Sequence, residues 1–162
     1  MAWGNSIIVT ADPQGQFVEG IINAAETPKP GTIMQIDPTQ SRQGNRHVWK
    51  AYTRDADGDR PKGPYIVLLA DEYQGRTKDD AYAAGERAFG YIPQEGDELN
   101  LLYKNVTGTA DDVAAGDLFI IDSGTGKLIV TTGSPENEVA MALESYTDPT
   151  ADRHLWCQWT GA

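Results

Sequence analysis

Two segments of this 162-residue chain follow one short plan, Pro30-Gly-Thr-Ile-Met-Gln-Ile-Asp37 and Ala115-Gly-Asp-Leu-Phe-Ile-Ile-Asp122. In each, a glycine opens a short apolar run that closes on an aspartate, Gly31 with Asp37 and Gly116 with Asp122. A second apolar run ending in an acid follows each copy, Ile66-Val-Leu-Leu-Ala-Asp71 and Val139-Ala-Met-Ala-Leu-Glu144. A small β-module used twice, with no reactive centre between the copies, predicts a protein whose work is done by surfaces.

Strand signals recur along the body at 32–36, 47–53, 65–70, 87–92, 98–103, 117–121, 127–132, 138–144 and 153–159, separated by Gly, Pro, Asn and Asp clusters. That rhythm predicts a mainly β chain, a small barrel or sandwich, over a parallel α/β sheet. Ser123-Gly-Thr-Gly126 reads as a hairpin turn, because two glycines permit positive φ. Thr77–Gly85 offers an N-cap Thr, acids in a first turn and a terminal Gly, so at most one short helix is expected there. Ahead of the body, Ile7-Ile-Val9, Phe17-Val18 and Ile21-Ile22 lie before the stiff Pro28-Lys-Pro30 elbow. Residues 1–30 therefore read as an extended N-terminal arm with one or two short strands. Residues 31–162 read as the β-rich domain, either whole or as two submodules, 31–103 and 104–162.

The net charge of −11 argues against general nucleic-acid binding, which needs a surplus of Lys and Arg, and disfavours an anionic membrane surface. The charge is unevenly spread, with a local net of +3 over 42–62 and −7 over 111–148. Such opposite patches suit docking onto a charged partner or between subunits. Cys157, the single cysteine, leaves no disulfide framework, and its strand-like neighbours mark it as a small buried residue. The first residues lack a basic region followed by a long apolar core, so no signal peptide is expected. Without one, the sequon Asn105-Val-Thr107 carries little weight.

Chemical signatures fail one by one. Asp55-Ala-Asp-Gly-Asp59 resembles a calcium loop, but Arg60 and Ile66 stand where that loop needs Gly and Glu, so a polar turn is expected and no metal. In Ser123-Gly-Thr-Gly-Lys127, Ile121 and Leu128 replace the Gly and the Ser or Thr of a phosphate loop, so no nucleotide cofactor is expected. His47 and His154 are the only histidines, neither in a nucleophile–base signature, and with one cysteine they give no zinc spacing. No catalytic residue is expected. Of the four tryptophans, Trp156 and Trp159 fall on opposite faces of a strand, one inside and one free to line an interface.

The chain resembles the head decoration, or capsid cement, proteins of tailed bacteriophages. The likeness rests on Lys29-Pro-Gly-Thr-Ile-Met-Gln-Ile36, Gly63-Pro-Tyr-Ile-Val-Leu-Leu-Ala-Asp71, Ala84-Gly-Glu-Arg-Ala-Phe-Gly-Tyr91, Asp112–Asp122 and Val139–Glu144, a pattern of Gly and aliphatic positions over most of 28–145. The resemblance implies a β-tulip-like body, a homotrimer, the major capsid protein as partner and the outer surface of a virion assembled in a host cytoplasm. From the apolar arm, the basic segment and the tryptophans, a capsid or subunit interface is expected at Trp3, Ile7, Ile8, Phe17, Arg42, Arg46, Trp49, Lys50 and Trp159. Residues 146–162 extend beyond the smallest members. A polysaccharide hydrolase working through a carboxylate pair, and a tail-associated module gripping sugar with tryptophans, are the rival expectations.

Overall fold

The computed structural model describes residues 6–9, 13–53, 64–104, 112–130, 138–147 and 151–161. Their alternating apolar residues form two closed barrels of five strands each. The first comprises β1 (Gln16–Ile22), β2 (Ile33–Ile36), β3 (His47–Ala51), β4 (Ile66–Leu68) and β5 (Arg87–Ile92). The second comprises β6 (Glu98–Tyr103), β7 (Leu118–Ile121), β8 (Leu128–Val130), β9 (Ala140–Ala142) and β10 (Arg153–Trp159).

The two barrels have one topology. Around the first the order is β1-β3-β2-β4-β5 and around the second β6-β8-β7-β9-β10, each with a single parallel pair, β1 with β3 and β6 with β8. The register repeats as well. Ile36 pairs with Trp49 and Trp49 with Ile22, as Ile121 pairs with Leu128 and Leu128 with Tyr103. Ile33 pairs with Val67 and Val67 with Tyr91, as Leu118 pairs with Met141 and Met141 with Gln158. The turns that open the repeated units also match. Gly31 and Gly116 both have positive φ, 84° and 96°, and their amides donate to Leu68 O at 2.7 Å and Ala142 O at 2.8 Å. The duplication read from two short segments thus extends to every strand of the fold.

The closing aspartates explain why the unit ends where it does. Asp37 N donates to Val48 O and Asp122 N to Lys127 O, both at 2.8 Å, turning the chain into the next strand. Each carboxylate accepts from the residue just past the first strand of its barrel: Asn23 Nδ2 reaches Asp37 at 2.7 Å, and Lys104 Nζ reaches Asp122 at 2.8 Å. Burial alone would raise the Asp37 carboxyl, but bonds from Thr39 and Asn23 and the Lys50 charge outweigh it and hold it below the usual carboxylate range. Asp122 is lowered in the same way, its desolvation overcome by Lys104 and Thr125.

Inside, the barrels reach the same end with different residues. The first is filled by Trp49, with Ile22, Met34, Ile66, Leu68 and Ala88 around it and Gly20 and Gly90 beneath the indole. In the second, Leu128 takes the Trp49 position and Leu101 and Cys157 the two glycine positions, while Tyr103 and Phe119 pack at a 5.9 Å centroid distance. One large ring over two glycines is exchanged for three medium side chains, conserving volume in a close-packed interior.

Two expectations are corrected here, and the limit of at most one short helix holds. Residues 16–22 are not part of an arm: β1 closes the first barrel by pairing with β3 and β5. The two units are 16–92 and 98–159, so the division falls near Pro93–Asp97 rather than at 103/104. Residues 77–85 form turns and no helix, because the Asp80 carboxylate accepts from Thr77 N at 2.7 Å and the segment bends to deliver Tyr82 into the first barrel. The only helical element among the described residues is a 3-10 turn, Glu72–Gln74.

Of the N-terminal segment, Ile7–Val9 lies along β6 of the second barrel: Asn100 N donates to Ile7 O at 2.7 Å and Val9 N to Glu98 O at 2.8 Å. The chain therefore runs from one barrel's wall into the other's first strand.

Candidate functional site

The barrels meet through the outer face of β2, β4 and β5. Ile33, Val67 and Tyr91 point out of the first barrel and are fully buried in the core cluster of the second. Backbone bonds fasten the joint, Leu102 N to Gly31 O at 3.0 Å and Ile33 N to Gly126 O at 2.7 Å. Gly126 is required there, since a Cβ would lie 2.2 Å from Ile33 O. Tyr91 Oη donates to Asp97 Oδ2 at 2.6 Å and accepts from Gly15 N at 2.7 Å. Burial first, and then the Asp97 carboxylate, push the Tyr91 phenol up to about 12.

Beside this joint opens a polar cleft of about 780 Å³, whose lining includes Lys29, Asp79, Lys127, Asp152, Arg153 and His154. The chemistry of this cleft is largely spent on itself. Lys127 pairs with Asp152, Lys78 with Asp79 at 3.0 Å, Tyr146 donates to Glu144, and Glu26 accepts from Ala51 N at 2.7 Å. The Arg153 guanidinium stacks 4.5 Å above the Tyr146 ring.

His154 is the one deeply placed ionisable group of the cleft. Nε2 lies 2.8 Å from Pro30 O, so it carries the proton, and Nδ1 lies 3.8 Å from Asp79. Desolvation lowers its pKa below the ordinary 6.5, against the raising effects of the Pro30 bond and Asp79. The unfolded chain therefore binds a proton more readily than the folded one. Stability should be complete above about pH 6.5 and decline as the pH drops below it. His154→Gln, whose amide can keep the bond to Pro30 O, should flatten that decline in urea melts between pH 7 and pH 5. An unchanged slope would show that His154 does not carry it. The lowered carboxyls of Asp37 and Asp122 act only in a more acidic window, so they do not confuse the reading.

The residues expected at an interface divide sharply. Trp49 is 2% exposed inside the first barrel, Trp159 is 3% exposed inside the second, and Ile7 is 3% exposed against β6. These three are core residues rather than interface residues, Trp49 and Trp159 because their strand phase points them inward and Ile7 because it packs in the core cluster of the second barrel. Ile8 is half-buried, bridged to Leu99. Phe17 is 66% exposed on the outside of β1 and Arg42 is exposed. Arg46 shares Glu19 with Arg87, at 3.1 and 2.5 Å, and Lys50 lies 3.8 Å from Asp37, so the basic patch is partly neutralised within the chain. Trp3, the Asp55–Asp59 turn and the Asn105–Thr107 sequon lie outside the described residues. Among the described residues no cluster of three His, Cys, Asp or Glu side chains could hold a metal ion. Cys157 is buried, which pushes its thiol up and removes it as a nucleophile.

Sequence reasoning missed the outward aliphatic residues Leu118, Ile120, Ile129 and Met141, all half-buried. The available signal was the unbroken apolar runs Leu118–Ile121 and Leu128–Val130, which are apolar in both strand phases where a solvated barrel needs only one. No protein-family model matches the chain and no curated protein matches it significantly. The fold and its surfaces define a class: a tandem of two filled small β-barrels joined face to wall.

Proposed function

We propose that the protein is a structural decoration protein that binds the exterior of an expanded phage capsid and reinforces it at symmetry axes, acting as a homotrimer without catalysis. The observation that carries this reading is that one barrel is built twice and both interiors are occupied by side chains, which leaves the outer surfaces as the working parts. The segments on which the resemblance to cement proteins rests are β2, β4, β5, β7 and β9 with their leading turns, the elements that frame those surfaces. An acidic exterior keeps crowded copies soluble. A trimer on a capsid three-fold gains avidity, because three contacts engage at high effective concentration.

Sugar binding by stacked tryptophans has less support, since Trp49 and Trp159 are core residues and the Trp156 indole donates to Glu98 at 3.1 Å. The test is co-sedimentation with undecorated expanded capsids. Saturation at one trimer per three-fold or quasi-three-fold position is the expected result. Absence of binding, or turnover of a polysaccharide by the free protein, would overturn it.

A further inference from the structure

The duplication exposes two surfaces that lack, among the described residues, the cover their counterparts have. On the first barrel, the outer face carrying Ile33, Val67 and Tyr91 is sealed by the second. The positions matching it on the second barrel, by register, are Leu118, Met141 and Gln158, and all three remain half-buried. Ile120 and Ile129, a cross-strand pair, extend this face with further aliphatic surface. The converse holds for the receiving patch. The second barrel receives the first through Asp97, Leu102 and Gly126, whose matches on the first barrel are Gln16, Ile21 and His47. Gln16 is exposed, Ile21 and His47 are half-buried, and beside them Phe17 is 66% exposed.

We infer that the β7–β9–β10 outer face of one copy docks onto the β1 side of the first barrel of a second copy, repeating head to tail the contact that joins the two barrels within the chain. A free sheet face and a free receiving patch on the same molecule are filled together by a heterologous step, and a ring closes if that step is a rotation. Charge favours this partner over a symmetric one. Residues 1–92 carry ten Lys and Arg against twelve acids, a net of −2, whereas residues 93–162 carry three against twelve, a net of −9. Head-to-tail contact sets the acidic barrel against the nearly balanced one, while a two-fold contact through β7–β9 would press two acidic barrels together. The inference deepens the reading of the chain as a homotrimer by naming the faces, and it is tested without a capsid.

Sedimentation velocity of the full chain should show mass rising with concentration to a closed ring. Leu118→Glu with Met141→Glu should weaken that association at least about tenfold at unchanged melting temperature, since neither side chain enters the core. Direction is read by thiols, because native Cys157 is buried and silent. The bonded pair Tyr91 and Asp97 maps to Gln158 of one copy and Gln16 of the next. A mixture of Gln158→Cys and Gln16→Cys chains should cross-link with a short bismaleimide, and either variant alone should not. A chain that stays monomeric, a glutamate variant that associates as well as wild type, or self-linking of Gln158→Cys alone would each overturn the inference. Capsid binding by a chain that fails these tests would leave the decoration reading standing and remove only the assigned faces.

Discussion

Replacing Gly20 by Leu is expected to unfold the first barrel, and replacing Trp49 by Leu in the same chain to refold it. A Cβ on Gly20 would lie 2.1 Å from Trp49 Cε2, a separation that no rotamer of the new side chain relieves because the Cβ itself collides. Overpacking of a filled core typically costs about 1–3 kcal/mol, and a clash at Cβ against a ring belongs at or above the top of that range. Trp49→Leu alone opens a cavity and should cost about 3 kcal/mol, by analogy with other large-to-small core changes. Together the two changes install the solution the second barrel already uses, Leu101 with Leu128, and the net cost should fall below about 1.5 kcal/mol. The readout is a double-mutant cycle in chemical denaturation. Additive losses would show that the two barrels are not packed as interchangeable solutions of one plan.

The same exchange explains how much of the fold could be read in advance. Nine strands were legible because each is a short apolar-rich run bounded by turn residues, and the repeat was legible in β2 with β7 because both need a positive-φ glycine before and an aspartate after. It was not legible in β1 with β6 or β5 with β10. There the matching interior positions hold Gly20 against Leu101 and Gly90 against Cys157, residues that share a volume sum with Trp49 or Leu128 and nothing in side-chain type. Conservation of total volume is invisible to residue matching. The arm was misread for a related reason: Pro28–Pro30 reads as a stiff elbow between an arm and the body, yet His154 and Leu102 of the second barrel bond the carbonyls of Pro30 and Gly31, making the elbow a point of attachment.

The surfaces were less legible still. Trp49 and Trp159 carried the composition expected of an interface, but an aromatic on a strand is committed by its phase, and both point inward. Asp97, in the linker between the barrels, was not singled out from sequence, because nothing in its residue type marks it as the partner of the Tyr91 hydroxyl six residues earlier. What the sequence did carry, unrecognised, was excess: the runs at 118–121 and 128–130 have more apolar phases than one core uses.

Removing residues 2–27 should abolish cooperative unfolding of the first barrel, whereas removing residues 2–12 should leave both barrels closed. The longer deletion takes all of β1, and with it every ladder bond of β1 to β3 and β5 and the interior residue Ile22. Two strand edges would then face solvent, and the indole of Trp49 would lose the floor that Gly20 provides. The sheet cannot re-close with four strands, because β3 and β5 are held apart by β2 and β4 on the other side. The shorter deletion removes Ile7 and the two backbone bonds along β6, a loss of about 3 kcal/mol from one buried aliphatic side chain and its attachments. For a chain of this size that corresponds to a fall of roughly 6–12 °C in Tm with the transition still cooperative. Near-ultraviolet circular dichroism separates the outcomes, since Trp49 loses its fixed environment only when β1 is gone. A chain lacking residues 2–27 that retained the native near-ultraviolet signal and a single sharp melt would show that β1 is dispensable, and the N-terminal segment would then be an arm after all.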